Sequence, residues 1–131
     1  MRAVLEEGAA EQAAMAASRT GGGDAAALTA CFEDCAGVGD VHEYRRLDSR
    51  FHLAVAESVG SLSLTSAVAS SRMRINGFLD AIPVLEPNID HSERQHAKIL
   101  SAVLAGKPEA ARRAMAEHLS ATAALLRGFL G

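Results

Sequence analysis

Apolar residues recur along this chain in stripes at helical spacing, interrupted at glycines and prolines, and six helices follow from that pattern. The first spans about 1–18 and is alanine-rich, with Val4, Leu5, Ala9, Ala13 and Ala16 near one face. Gly21-Gly22-Gly23 ends it, and Asp24 is placed to cap a second helix over about 25–37, which Gly37 and Gly39 break. A third starts at Asp40, with Glu43 three residues on completing a capping-box-like pair, and runs to about Ser58 before Gly60. The fourth, over about 62–82, carries serines and Gly77, which favour a kink. Pro83 and Pro87 bracket a loop. The fifth covers about 89–105 and stops at Gly106; Pro108 then suits the first turn of a sixth reaching about Phe129, where a missing N–H breaks no intrahelical bond. Short connections imply that neighbouring helices pack antiparallel, as one all-α bundle.

Four polar residues fall in or beside the apolar stripes. In the third helix Asp48 and His52 stand next to Tyr44, Leu47, Phe51, Val55 and Val59; four residues apart, they lie one turn above the other. His96 aligns with Ile99, Leu100 and Val103, and His118 with Ala114, Met115, Thr122 and Leu125. Any one of these histidines reads as a satisfied core or semi-buried side chain, and Asp48 could pair with Arg45 or Arg46 on its own helix. An aspartate and three imidazoles pointing inward together are harder to satisfy. A divalent metal does so at once, and bundles build such sites from facing helices. On spacing alone the two readings stand side by side.

Composition narrows the classes. Of 131 residues 49% are hydrophobic and 22% charged, and 27 are alanine, a balance that supports one packed helical domain. Thirteen Lys/Arg against sixteen Asp/Glu give a net charge of −3, which lacks the basic excess of a phosphate-gripping surface. No apolar run approaches the ~20 residues of a membrane span. The opening MRAVLEEGAAEQ has acids where a secretory signal has basic residues, so the chain reads as cytoplasmic. Cys31 and Cys35, four apart in a helix, read as two small core or semi-buried thiols.

The segment LDSRFHLAVAESVG, containing Asp48 and His52, resembles the D-x-x-F-H-x-x-[ILV]-A motif of the FCD domain, the ligand-binding domain of FadR-type regulators in the GntR family. QHAKILSAVLAGKPEAARRAMAEHL resembles that domain's later stretch, including two histidines 22 residues apart, and Arg2 to Glu6 match the R-x-x-[IL]-E with which such domains often begin. The resemblance covers nearly the whole chain. It implies an antiparallel bundle around a central metal and ligand pocket, with Asp48, His52, His96 and His118 as the ligands of a divalent cation. Zn or Ni leads for three imidazoles. His42 and His91 match nothing in the motif and read as solvated. Three departures stand out: Ser61 where many members have Asn, Lys107 where Asp usually caps the last helix, and Gln95 where Glu usually precedes the histidine. The last is expected to weaken a contact behind a metal ligand.

What the resemblance implies is a sensor: residues 1–131 as an effector-binding domain, a small organic or sugar acid as effector, and a homodimer. DNA would be read only through a winged helix-turn-helix that this chain lacks. An incoming carboxylate can take coordination positions that four protein ligands leave open. Arg2, Arg72, Arg74 and Ser61 are candidates to line its pocket. Two rivals come from other classes. A metalloenzyme needs a general base, and Glu57 and Glu93 fall off the stripes. In a structural dimerisation bundle, the histidines only satisfy buried polar groups.

Overall fold

A computed structural model describes residues 2–20, 25–36, 38, 40–81 and 86–130. Six helices follow in order: α1 (Arg2–Thr20), α2 (Ala25–Cys35), α3 (Val41–Glu57), α4 (Leu62–Leu79), α5 (Glu86–Leu104) and α6 (Pro108–Leu130). Among the described residues there is no strand, so the fold is the all-α bundle the stripes imply. Asp24, Gly37, Gly39 and Pro83 lie outside the described residues.

Helix α1 sits at the middle, packed on α6 and α5 and also on α3 and α4. Its buried face is Ala9, Ala10, Ala13 and Ala14, and side chains that small let neighbouring backbones come close. Larger residues from the surrounding helices fill the space between: Leu28, Phe51, Val55, Ile99, Val103 and Met115 are buried without remainder or nearly so. The expected α1 stripe holds at Leu5, Ala9 and Ala13 but not at Val4. Val4 is 74% exposed, and Glu6, a full turn before Ala9 and Ala10, is buried in its place.

The helix ends obey local chemistry. Asp40 adopts an extended conformation and its carboxylate accepts from His42 N at 2.8 Å and Glu43 N at 3.1 Å, capping α3. These two donors lower the Asp40 carboxyl below its ordinary value. The reciprocal half of the box does not form, because Glu43 turns to Arg46 one turn along. Gly60 and Gly106 take φ of 83° and 66°, the left-handed region that ends a helix. At Gly106 the two bonds Lys107 N to Ala102 O and Gly106 N to Val103 O, each 3.0 Å, close a Schellman turn. A Cβ on Gly106 would also stand 3.0 Å from the Ser18 Cβ of α1, so this turn is seated against α1. Helix α4 runs on through Gly77 to Leu79, and α5 begins at Glu86, earlier than expected. Pro87 lies inside its first turn, where proline breaks no helical bond.

Candidate metal centre

The local sequence puts Asp48 and His52 on the inner face of α3, His96 on α5 and His118 on α6, and the bundle brings their tips together. One donor atom from each of the four lies within 4.8 Å of the others. His52 Nε2 and His96 Nε2 each stand 3.2 Å from His118 Nε2. Asp48 Oδ1 stands 2.9 Å from His96 Nε2 and 3.5 Å from His52 Nε2, with hydrogen-bond geometry to neither. The three imidazoles are buried, and Phe51 packs against two of them, stacked on His96 with ring centroids 4.4 Å apart and edge-on to His52 at 5.9 Å.

Behind each imidazole stands an acceptor. Glu6 of α1 contacts His52 Nδ1, Gln95 Oε1 lies 2.7 Å from His118 Nδ1, and Glu93 Oε1 lies 3.3 Å from His96 Nδ1 at a poorer angle. A carboxylate and an amide oxygen only accept, so His52 and His118 carry their protons on Nδ1. In the neutral rings their Nε2 atoms then face each other as two lone pairs, beside an Asp48 oxygen that is itself without a donor. Such an arrangement is repulsive by itself and suited to a cation. Donors at about 2.1 Å from a common divalent ion stand about 3.0–3.4 Å apart across cis-octahedral or tetrahedral angles, and the spacings here match that scale. The residues present fit a divalent metal.

Burial alone would raise the Asp48 carboxyl, yet His52, His96 and Arg72 hold it well below the usual carboxylate range. Burial first, then His52 and His96, push His118 down to about 2, so it stays a neutral base. Burial opposes protonation of His96 too, but Asp48 and Glu93 outweigh it and raise that imidazole. Glu6 resembles Asp48: burial would raise it, and His52, Arg72 and Arg2 bring it down.

Arg72 of α4 ties the centre to its surroundings. Its Nη2 donates to Asp48 Oδ2 at 2.9 Å, and Nη1 stands 3.8 Å from Glu6 Oε2, so one buried guanidinium joins α4, α3 and α1. Asp48 thus gains a hydrogen-bonded partner from another helix, where single-helix reasoning considered only Arg45 and Arg46. A cavity of about 510 Å³ opens on the same atoms, lined by Asp48, Arg72 and His118 together with Tyr44, Arg45 and Leu125.

The remaining expected pocket residues lie elsewhere. Arg2 and Arg74 line a second hollow between α1 and α4, and Arg2 donates to Leu119 O at 3.4 Å. Ser61 caps α4, accepting from Leu64 N at 3.2 Å. His91 is exposed at the rim of the main cavity, 3.2 Å from Gln95 Nε2, while His42 lies in the first turn of α3. Glu93 approaches His96 from its Nδ1 side, away from the converging Nε2 atoms, and Glu57 pairs with Arg50 at the surface. Neither is placed to serve as a base at the open face. Cys35 is buried and Cys31 half-buried, both as free thiols, with Cys35 beside Glu93.

Sequence reasoning missed Glu6 as a partner of the centre. The signal was present: Glu6, Ala9, Ala10, Ala13 and Ala14 follow helical spacing, so an acid rides on the buried stripe of α1.

The chain matches the FCD domain family over residues 1–121. Two curated relatives, from Escherichia coli (strain K12) and Shigella flexneri, each carry the name "Putative L-lactate dehydrogenase operon regulatory protein". Both are 31% identical to this chain in an alignment of 119 positions that covers 80% of this chain and 42% of theirs. The chain therefore spans less than half the length of these relatives.

Proposed function

This chain belongs to the FCD domain family, and on that footing we propose that it is the metal-dependent effector-sensing domain of a GntR-type transcription regulator. The observation that carries the proposal is the convergence of three imidazole Nε2 atoms and Asp48 Oδ1 on one point, each imidazole backed by an acceptor. Asp48, His52, His96 and His118 would hold a divalent ion, Zn or Ni being the leading candidates for such a donor set. When bound, that ion supplies positive charge and open coordination positions at the inner end of the cavity. The chain's own residues do the rest. Glu6 and Gln95 fix the ring orientations of His52 and His118, and Arg72 orients Asp48.

The effector we propose is a small carboxylate that enters the cavity and reaches Asp48. The relatives' name refers to an L-lactate dehydrogenase operon, which makes 2-hydroxy acids the first class to test. Such an acid shifts the domain between arrangements only as far as it binds one better than the other. Arg72, shared by Asp48 and Glu6, gives that preference a route to α1. In the whole regulator the change would re-space a homodimer, with DNA read by a separate winged-helix domain. No helix among the described residues is long and apolar enough to cross a membrane.

Elemental analysis of the purified chain tests this reading. One equivalent of a divalent metal is expected, and a His52→Ala/His118→Ala double variant should lose it. Stoichiometric metal in the folded double variant overturns the assignment.

A further inference from the structure

A second group of donors lies behind the metal centre, on the other side of the His96 ring. Cys35 is the last residue of α2, Glu93 and His96 stand one turn apart on α5, and those two helices pack together. One donor atom from each of the three residues lies within 4.8 Å of the others. The ring turns Nε2 to Asp48 and His118 and Nδ1 to Glu93, whose Oε1 stands 3.3 Å away. A thiol, a carboxylate and an imidazole nitrogen thus meet at one point that the four-residue centre does not use.

The polar atoms of this group are unmet. Cys35 is 1% exposed and His96 fully buried. His96 Nδ1 and both carboxylate oxygens of Glu93 are shut off from solvent, and none of the three forms a hydrogen bond of acceptable geometry among the described residues. Leaving such atoms unpaired costs their full desolvation, and a cation would satisfy them together. Donors bound to a tetrahedral ion at about 2.0–2.3 Å stand about 3.3–3.7 Å apart. The 3.3 Å between Nδ1 and Oε1 is already on that scale, and the 4.8 Å bound leaves the sulfur at most about 1 Å to close. A thiolate and a carboxylate also balance the charge of a divalent ion. Burial, then the Glu93 carboxylate, hold the Cys35 proton in place, so only a cation with strong affinity for sulfur displaces it. The site is therefore the weaker of the two and fills after the four-residue centre.

We propose a second cation site, formed by Cys35 Sγ, a Glu93 carboxylate oxygen and His96 Nδ1, that takes a sulfur-seeking divalent ion. The thiol proton leaves to solvent as the sulfur–metal bond forms, and a fourth position is left for water. With Nε2 on a first ion and Nδ1 on a second, the His96 ring must also give up its own proton. Each ion therefore lowers the affinity of the other, by the same factor in both directions.

Cadmium is the probe, and thiolate-to-cadmium charge-transfer absorbance in the ultraviolet is the readout. Titration starts from the chelator-stripped, reduced 131-residue chain carrying Cys31→Ser, which leaves Cys35 as its sole thiol. The first equivalent, held by imidazoles and Asp48, should leave the band absent, and the second should bring it to saturation. Cys35→Ser should abolish the band. Glu93→Gln keeps the thiol and should weaken the cadmium that gives the band at least about tenfold, which keeps the inference decidable if Cys35→Ser proves unstable. The band should persist in the His52→Ala/His118→Ala variant, whose first site is gone, so the two sites are read separately. Absence of the band at excess cadmium overturns the inference and leaves the proposed function standing. So does a band whose affinity Glu93→Gln leaves within about twofold.

Discussion

Replacing Glu6 with alanine removes a carboxylate that is not itself one of the metal-holding residues, yet the change should be felt at the metal. Glu6 is 1% exposed, contacts His52 Nδ1 and stands 3.8 Å from Arg72 Nη1. Without it, His52 loses the acceptor that keeps its proton on Nδ1 and its lone pair on Nε2. Removing such a partner behind a metal-bound histidine typically lowers metal affinity about 10- to 100-fold, or about 1.4–2.7 kcal/mol. Glu6→Gln keeps an acceptor oxygen but not the charge, so its loss should fall at the low end of that range. Competition against a chelator of known affinity reads both variants, and melting of the chelator-stripped chains separates binding from folding. Arg72 keeps Asp48 as a partner at 2.9 Å, which favours a folded variant. A folded Glu6→Ala chain with metal affinity within about twofold of the parent would refute the reasoning, because outer partners of ligating histidines are expected to matter. Equal destabilisation with and without metal would make Glu6 a packing residue only.

The remaining expectations address pH, backbone and nucleic acid. His118 is depressed from 6.5 to about 2, so in the metal-free chain its contribution is present above the free-imidazole value and lost as pH falls below it. His96 is raised and works the other way, its contribution being present at low pH and lost as pH rises through its elevated value. Metal binding needs all three rings unprotonated, and His96 is the ring raised above the free-imidazole value, so the melting-temperature gap between metal-loaded and stripped chains should shrink as pH falls through that elevated value; a constant gap down to about pH 5 contradicts this. Gly106→Ala should destabilise by about 1–2 kcal/mol in denaturant titration, because it combines a φ of 66° with a Cβ 3.0 Å from that of Ser18; an unchanged midpoint counts against the seated turn. The 131-residue chain, at net charge −3, should show no sequence-preferring gel shift at physiological salt and sub-micromolar concentration.

Helix count and order were legible because glycine and proline act locally: Gly60 and Gly106 end helices by their own backbone freedom, and Asp40 caps through its own side chain. The four residues of the centre were legible for a different reason. Each is polar on an otherwise apolar face, an imbalance that only tertiary packing explains. Partners contributed from other helices were harder to read. Arg72 is the group that meets Asp48, but α3 offered Arg45 and Arg46 nearer in sequence, and choosing between them requires knowing how α4 crosses. Glu6 was overlooked because Val4 drew the stripe to one side, whereas Ala10 and Ala14 extend the buried face across to Glu6. Pro87 was assigned to a loop, although the first turn of a helix accommodates it.

The central claim is that Asp48, His52, His96 and His118 hold a metal whose open side receives an acid. The most direct measurement compares melting temperatures of the metal-loaded and chelator-stripped chain, each with and without L-lactate. An acid at a hundred times its dissociation constant should add about 2.7 kcal/mol, a shift of several degrees for a domain this size. The account predicts that shift for the loaded chain and its near-disappearance in the stripped chain and in His96→Ala. Equal stabilisation of loaded and stripped chains would place the acid away from the metal and contradict the account.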